Sequence, residues 1–167
     1  MARNVEIKAK VGDMITLRKQ VESLADRGPQ VIIQEDSFFR CSTGRLKFRR
    51  FSDREGELIS YQRPDTKEPT ESQYARSSSH EPDDLIEVLA QALGVRGVVR
   101  KTRTLYWTGR TRIHLDDVEG LGRFLELEVV LEPTQSTAEG VEIARQIMNR
   151  LNISEADLIE SARVAAG

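Results

Sequence analysis

The chain has one cysteine in 167 residues, no large surplus of either charge and no long apolar run. Each absence removes a class of protein. The lone Cys41 excludes an internal disulfide and suits a reducing compartment, and without a neighbouring His or Cys it reads as incidental. Lys and Arg number 25 against 27 Asp and Glu, a net charge of −2, so no global basic field points to nucleic acid. Apolar stretches last a few residues, far short of the roughly 20 a membrane helix needs, and the opening MARNVEIKAK has no signal-peptide core. No membrane partner is expected, and the expected location is cytoplasmic. There is no internal repeat and no linker. With 38% hydrophobic and 31% charged residues, 1–167 reads as a single domain with a real core.

What is present is alternation. The first strand, Arg3 to Val11, alternates Asn4, Glu6, Lys8 and Lys10 with Val5, Ile7, Ala9 and Val11. Asp13 caps a helix from Met14 to about Arg27, stopped by Gly28-Pro29. Strands follow at Gln30–Arg40, Arg45–Phe51 and Glu57–Arg63, then a polar loop, Pro64 to Asp84, interrupted by a short strand around Glu71–Arg76. A helix at Leu85–Leu93 precedes a strand at Arg96–Trp107 and a hairpin at Arg112–Leu131. Ser136 to Glu139 has capping-box spacing and opens a helix to about Leu151. Ser154 to about Val164 reads as a last short helix. About eight mostly antiparallel strands are enough to close a barrel, giving a mainly β (α+β) fold with helices outside.

Five strands carry charge at i, i+2 spacing: Glu6 and Lys8; Lys47 and Arg49; Lys101 and Arg103; Arg112, His114 and Asp116; Glu126 and Glu128. Such a face meets either solvent or a cavity. The amphipathic helices need apolar surface to pack on, and the opposite strand faces supply it in Val5, Ile7, Leu46, Phe48, Ile113, Leu115, Leu125, Leu127 and Val129. That places the charges inside. Six cations there face four acids, a balance suited to a polyphosphate held with Mg²⁺ or Mn²⁺ on the carboxylates.

The ordered set Asn4-Val-Glu-Ile-Lys8, Arg45-Leu-Lys-Phe-Arg49, Tyr61-Gln-Arg63, Lys101-Thr-Arg103, His114 to Gly122 and Phe124 to Glu128 resembles the CYTH domain of the triphosphate tunnel metalloenzyme superfamily. The class IV adenylyl cyclase-like branch is the most similar. The resemblance implies an eight-stranded antiparallel tunnel binding a small-molecule triphosphate with Mg²⁺ or Mn²⁺, and a fold that often pairs as a homodimer. It implies catalytic roles for Glu6, Lys8, Glu126 and Asp116. Glu6 and Glu126, supported by Glu128, are the implied metal ligands. Lys8, Lys47, Arg49, Arg63, Lys101, Arg103 and Arg112 are the implied phosphate binders. Arg63 stands where relatives often have Lys, and Asn4 stands where the signature has Glu, which removes a charge from the metal end.

Some residues stay open. Asp116 orients a cation, helps activate a hydroxyl or closes an internal salt bridge. His114 is a satisfied imidazole or a participant, Trp107 packs or stacks on a base, and His80 reads as exposed and incidental. Three functions share the machinery: cyclisation of ATP to cyclic AMP and pyrophosphate, hydrolysis of tripolyphosphate, thiamine triphosphate or a nucleoside triphosphate, and non-catalytic polyphosphate or nucleotide binding.

Overall fold

The computed structural model describes residues 2–64 and 66–159. Eight strands run in the order β1 (Ala2–Lys10), β2 (Arg27–Phe39), β3 (Arg45–Ser52), β4 (Glu55–Gln62), β5 (Thr70–Ser79), β6 (Val95–Thr108), β7 (Thr111–Val118) and β8 (Gly122–Val130). Neighbours pair antiparallel as β5-β4-β3-β2-β6-β7-β8-β1, and β1 pairs again with β5, Ala2 opposite Tyr74, so the sheet closes on itself. The expected barrel is present. Its helices also fall where expected: α1 (Met14–Leu24) after β1, α2 (Pro82–Leu93) before β6 and α3 (Thr137–Arg150) after β8.

The hydrophobic core lies outside the barrel wall. Outward residues Ile7, Ala9, Ile113, Leu115, Leu125 and Leu127 pack with Met14, Leu17 and Val21 of α1 and Ile147 and Met148 of α3. Ala144 of α3 adds a second cluster with Val5, Val129 and Leu131. Burying those methyls against helices removes the apolar face from water and leaves the polar face of each strand to line the interior. Coverage is uneven: α2 lies against β2, β3 and β4, while Val31 and Ile33 on the outer face of β2 are 64% and 72% exposed. No helix among the described residues is long and apolar enough to cross a membrane.

Three local expectations are corrected. The first helix ends at Leu24, and Arg27 to Pro29, expected as helix end and stop, already belongs to β2. Sheet pairing wins there: the Asp26 N–H donates to the Trp107 carbonyl and Arg27 pairs with Trp107. Gly28 is required by that approach, since at φ +106° a Cβ would sit 2.7 Å from the Leu105 carbonyl oxygen. Second, β5 is ten residues long rather than a short interruption. It carries little apolar signal because one face meets the polar interior through Ser72 and Tyr74 while Gln73, Ala75 and Ser77 face water. Third, the helix expected from Ser154 is a 3-10 turn, Glu155–Asp157, followed by a ninth strand, β9 (Leu158–Ile159), on Lys8 and Ala9. Leu158 joins the main core cluster, which draws the chain out of the turn. The rest of that expected helix lies outside the described residues.

Candidate active site

Side chains that alternate inward enclose a cavity of about 350 Å³, within the range of small-ligand sites. The strand registers put its charges side by side. Lys8 lies opposite Glu126 and Glu6 opposite Glu128 across β1 and β8; His114 and Arg112 face the same two glutamates across β7. Arg103 lies opposite Asp116, and Asp36 opposite Arg49. All seven residues expected to bind phosphate line the cavity, as do Glu6, Glu126 and Glu128.

At the cationic end each arginine is held by a carboxylate. Arg49 donates Nε and Nη2 to the two oxygens of Asp36 at 2.9 and 2.8 Å, and Lys47 and Lys101 approach the same carboxylate at 3.7 and 4.0 Å. Arg103 makes the same fork to Asp116 at 2.8 and 2.9 Å. Burial opposes ionisation of both aspartates, but the guanidinium partners outweigh it and hold them well below the usual carboxylate range. Burial and the neighbouring Arg49 lower Lys47 to about 8. Burial, Arg103 and Lys8 likewise push Lys101 well down. Asp116 is fully buried behind Arg103 and is absent from the cavity wall, so of the three alternatives the structure displays the salt bridge that orients a cation.

Asp36 escaped the sequence reading. It stands beside a second acid, Glu35, in β2, and its signal was the alternation Ile32, Gln34, Asp36, Phe38, one face of β2, all on the cavity wall.

At the other end the carboxylates crowd. Glu126 is ion-paired with Lys8 Nζ at 3.5 Å and Arg103 Nη2 at 3.7 Å; burial opposes its charge, but these cations hold it well below the usual range. Glu6 and Glu128 are pushed up by burial and by the Glu126 charge, although Arg63 stands 2.5 Å from Glu6 and Arg112 lies 3.3 Å from Glu128. His114 Nδ1 lies 3.3 Å from Glu126 and 3.5 Å from Glu128, and one ligand atom from each of the three residues falls within 4.8 Å of the others. Burial and Arg103 lower its pKa, which favours the neutral ring. Trp107 is already covered: the guanidinium groups of Arg27 and Arg112 lie 4.6 and 5.0 Å from the ring centre. His80 is exposed, as expected.

A closed antiparallel barrel with an ion-paired polar interior and helices outside is a tunnel lined by charge. The chain belongs to the CYTH domain family, which it matches over residues 2–162. It is 27% identical, over 95% of its length and 94% of the relative's, to a protein of Methanocaldococcus jannaschii provisionally named adenylate cyclase. Among solved structures it resembles a Pyrococcus horikoshii protein at 25% identity and TM-score 0.82, with 93% of each chain covered. It shares its fold with a Hippeastrum protein provisionally called an adenylyl cyclase and described as having a dominant triphosphatase activity. That match has 14% identity and TM-score 0.60, over 92% of this chain and 89% of that one.

Proposed function

We propose that this chain is a divalent-metal-dependent enzyme that binds a triphosphate lengthwise in its tunnel and cleaves a phosphoanhydride bond. The carrying observation is the conversion of i, i+2 charge into one cavity wall. Lys8, Lys47, Arg49, Arg63, Lys101, Arg103 and Arg112 all line it, each within ion-pair distance of a carboxylate. Those partners keep the cations desolvated and aimed before substrate arrives, the preorganisation that makes charge stabilisation effective in a low-dielectric site. A triphosphate entering would take over donors now shared with Glu6 and Glu126. Asp36, buried in the wall between three cations, and Asp116, behind Arg103, would stay in place and hold Arg49 and Arg103 on the phosphates. Asp116 thus acts through Arg103.

The residues present fit a divalent cation. Glu6, Glu126 and Glu128 surround one region of the wall, two of them pushed toward the neutral form, and a cation there would relieve that repulsion. The proposed ligands are Glu126 and Glu128 with Glu6 close by. When bound, the metal supplies Lewis-acid charge neutralisation to the phosphate oxygens.

The reaction read first is that of the class IV adenylyl cyclases. The ribose 3′-oxygen of ATP bonds to the α-phosphorus, the bond from that phosphorus to the bridging oxygen breaks, and pyrophosphate leaves. The name of the M. jannaschii relative supports this reading. A specific observation favours hydrolysis as the second reading: three aromatic rings on the wall, Phe38, Tyr61 and Trp107, are capped by cations. Lys47 Nζ lies 5.8 Å from Phe38 and 5.1 Å from Tyr61, and Trp107 carries two guanidinium groups. A base would have to displace a cation to stack; inorganic triphosphate would not.

Incubation with ATP, tripolyphosphate or thiamine triphosphate, each with Mg²⁺ or Mn²⁺, separates these outcomes. Cyclic AMP with pyrophosphate is expected from cyclisation and orthophosphate from hydrolysis. Glu126→Gln should lower metal-dependent turnover about 10²-fold or more. No turnover of any substrate, with triphosphate still bound, would replace the enzyme by a binding module.

A further inference from the structure

The resemblance groups Glu6 with Glu126 and Glu128 as metal ligands. In the folded tunnel Glu6 is engaged by Arg63 at 2.5 Å, and the side chain that closes on the two β8 carboxylates is His114. His114, Glu126 and Glu128 are the one such group of ligand atoms among the described residues. His114 is 4% exposed, and what its side chain shows is turned into the cavity. A single Nδ1 faces carboxylate oxygens at 3.3 and 3.5 Å, both longer than the ~2.7–2.9 Å of a charge-assisted hydrogen bond. Three donor atoms around a common point at slightly long range is the geometry a bound cation would draw together.

A second observation points the same way. Asn4, 2% exposed and on the same cavity wall, has its Oδ1 buried with no hydrogen-bond partner. It stands two residues from Glu6, on the same face of β1. A buried amide oxygen with nothing donating to it is rare and calls for a partner from the cavity, a water, an ion or a ligand group.

We infer that His114 is a direct metal ligand, joining Glu126 and Glu128, and that this nitrogen donor makes the site select first-row transition metals such as Mn²⁺ over Mg²⁺. The inference rests on the reading of the tunnel as a metal site. Mg²⁺ demands a near-ideal octahedral oxygen shell and sheds its water reluctantly. Imidazole is a softer donor, and affinity for nitrogen-containing sites rises along the transition series from Mn²⁺ onward. Binding through Nδ1 leaves the ring proton on Nε2. On β1 the amide of Asn4 has lowered the oxygen-donor charge of the site, and on β7 His114 restores a strong donor.

The test is pulsed EPR on the full chain with MnCl₂, with and without tripolyphosphate, at natural abundance and with ¹⁵N-histidine. The chain has two histidines, and the other, His80, is exposed in the turn after β5, so a His80→Ala background makes the label specific to His114. Echo modulation from a directly bonded nitrogen that changes on ¹⁵N substitution is expected. In parallel, His114→Glu should lower the ratio of Mn²⁺ to Mg²⁺ affinity, measured calorimetrically, by about tenfold or more. Bound Mn²⁺ without histidine nitrogen coupling would overturn the inference and leave the metal reading standing. No Mn²⁺ binding, even with tripolyphosphate, would overturn both. If His114→Glu fails to fold, the wild-type spectra decide the question alone.

Discussion

Arg103 grips Asp116 with two parallel hydrogen bonds, 2.8 Å from Nε and 2.9 Å from Nη2, and both side chains are buried. Arg103 forms part of the cavity wall; Asp116 stands behind it with no exposed surface. The pair fixes the direction of a guanidinium that also reaches Glu126 at 3.7 Å.

Removing one member of such a pair strands the other. Asp116→Asn is expected to destabilise the fold by about 3–5 kcal/mol, the usual cost of leaving a buried charge unpaired. Tripolyphosphate affinity should fall with it. Thermal unfolding and calorimetric binding check both, and an unchanged melting point would show that Arg103 finds another partner.

Asp36 serves three cations, so Asp36→Asn should loosen Arg49, Lys47 and Lys101 together and weaken triphosphate binding more than Arg49→Ala does. The sign with pH is fixed. A carboxyl held below its unfolded value of about 3.9 adds stability above that pH and loses it as pH falls through the folded value. The wild-type acid unfolding curve should therefore steepen below about pH 4 relative to Asp36→Asn, as followed by circular dichroism.

Lys47 titrates near 8 because burial and Arg49 disfavour its charge. Folding favours the neutral amine, so its contribution to stability grows as pH rises from about 8 toward the unfolded value of about 10.4. Triphosphate binding has the opposite sign, since the anion needs the ammonium. The dissociation constant for tripolyphosphate should rise above about pH 8, with Lys101 adding in the same direction. Lys47→Arg should reduce the slope of log Kd against pH by about one. A flat wild-type profile from pH 7 to 10 would remove both lysines from the phosphate contacts.

Gly140 tests the outer packing instead. A Cβ there would lie 2.6 Å from Val5 Cγ2 and 2.7 Å from Leu131 Cδ2, so α3 must lift from β1 to admit alanine. Alanine gains about 1 kcal/mol of helix propensity over glycine, and overpacking a filled site costs about 1–3 kcal/mol. The stiff, β-branched Val5 puts Gly140→Ala on the losing side, seen as a lower urea midpoint with tripolyphosphate binding retained.

Much of this molecule was legible in one dimension. Period-two alternation assigned Glu6, Lys8, Lys47, Arg49, Lys101, Arg103, Arg112, Glu126 and Glu128 to one face of their strands. The demand of amphipathic helices for an apolar wall turned that face inward, and the structure places all nine on the cavity. β5 was harder to read because a strand with one face in a polar interior and the other in water carries no hydrophobic period. The end of α1 was misplaced because pairing with Trp107 overrides local capping signals, and Leu158–Ile159, expected as helix, is strand because it pairs with Lys8 and Ala9.

The sequence by itself determined which side chains share a face, since the pleat sends every second residue the same way. Only the closed barrel decided which of them meet. Asp36 became the anchor of three cations because β2 lies between β3 and β6, a neighbour relation written nowhere along the chain. His114 faces Glu126 because β7 and β8 pair in one register, and a slip of one residue would have turned it out of the tunnel.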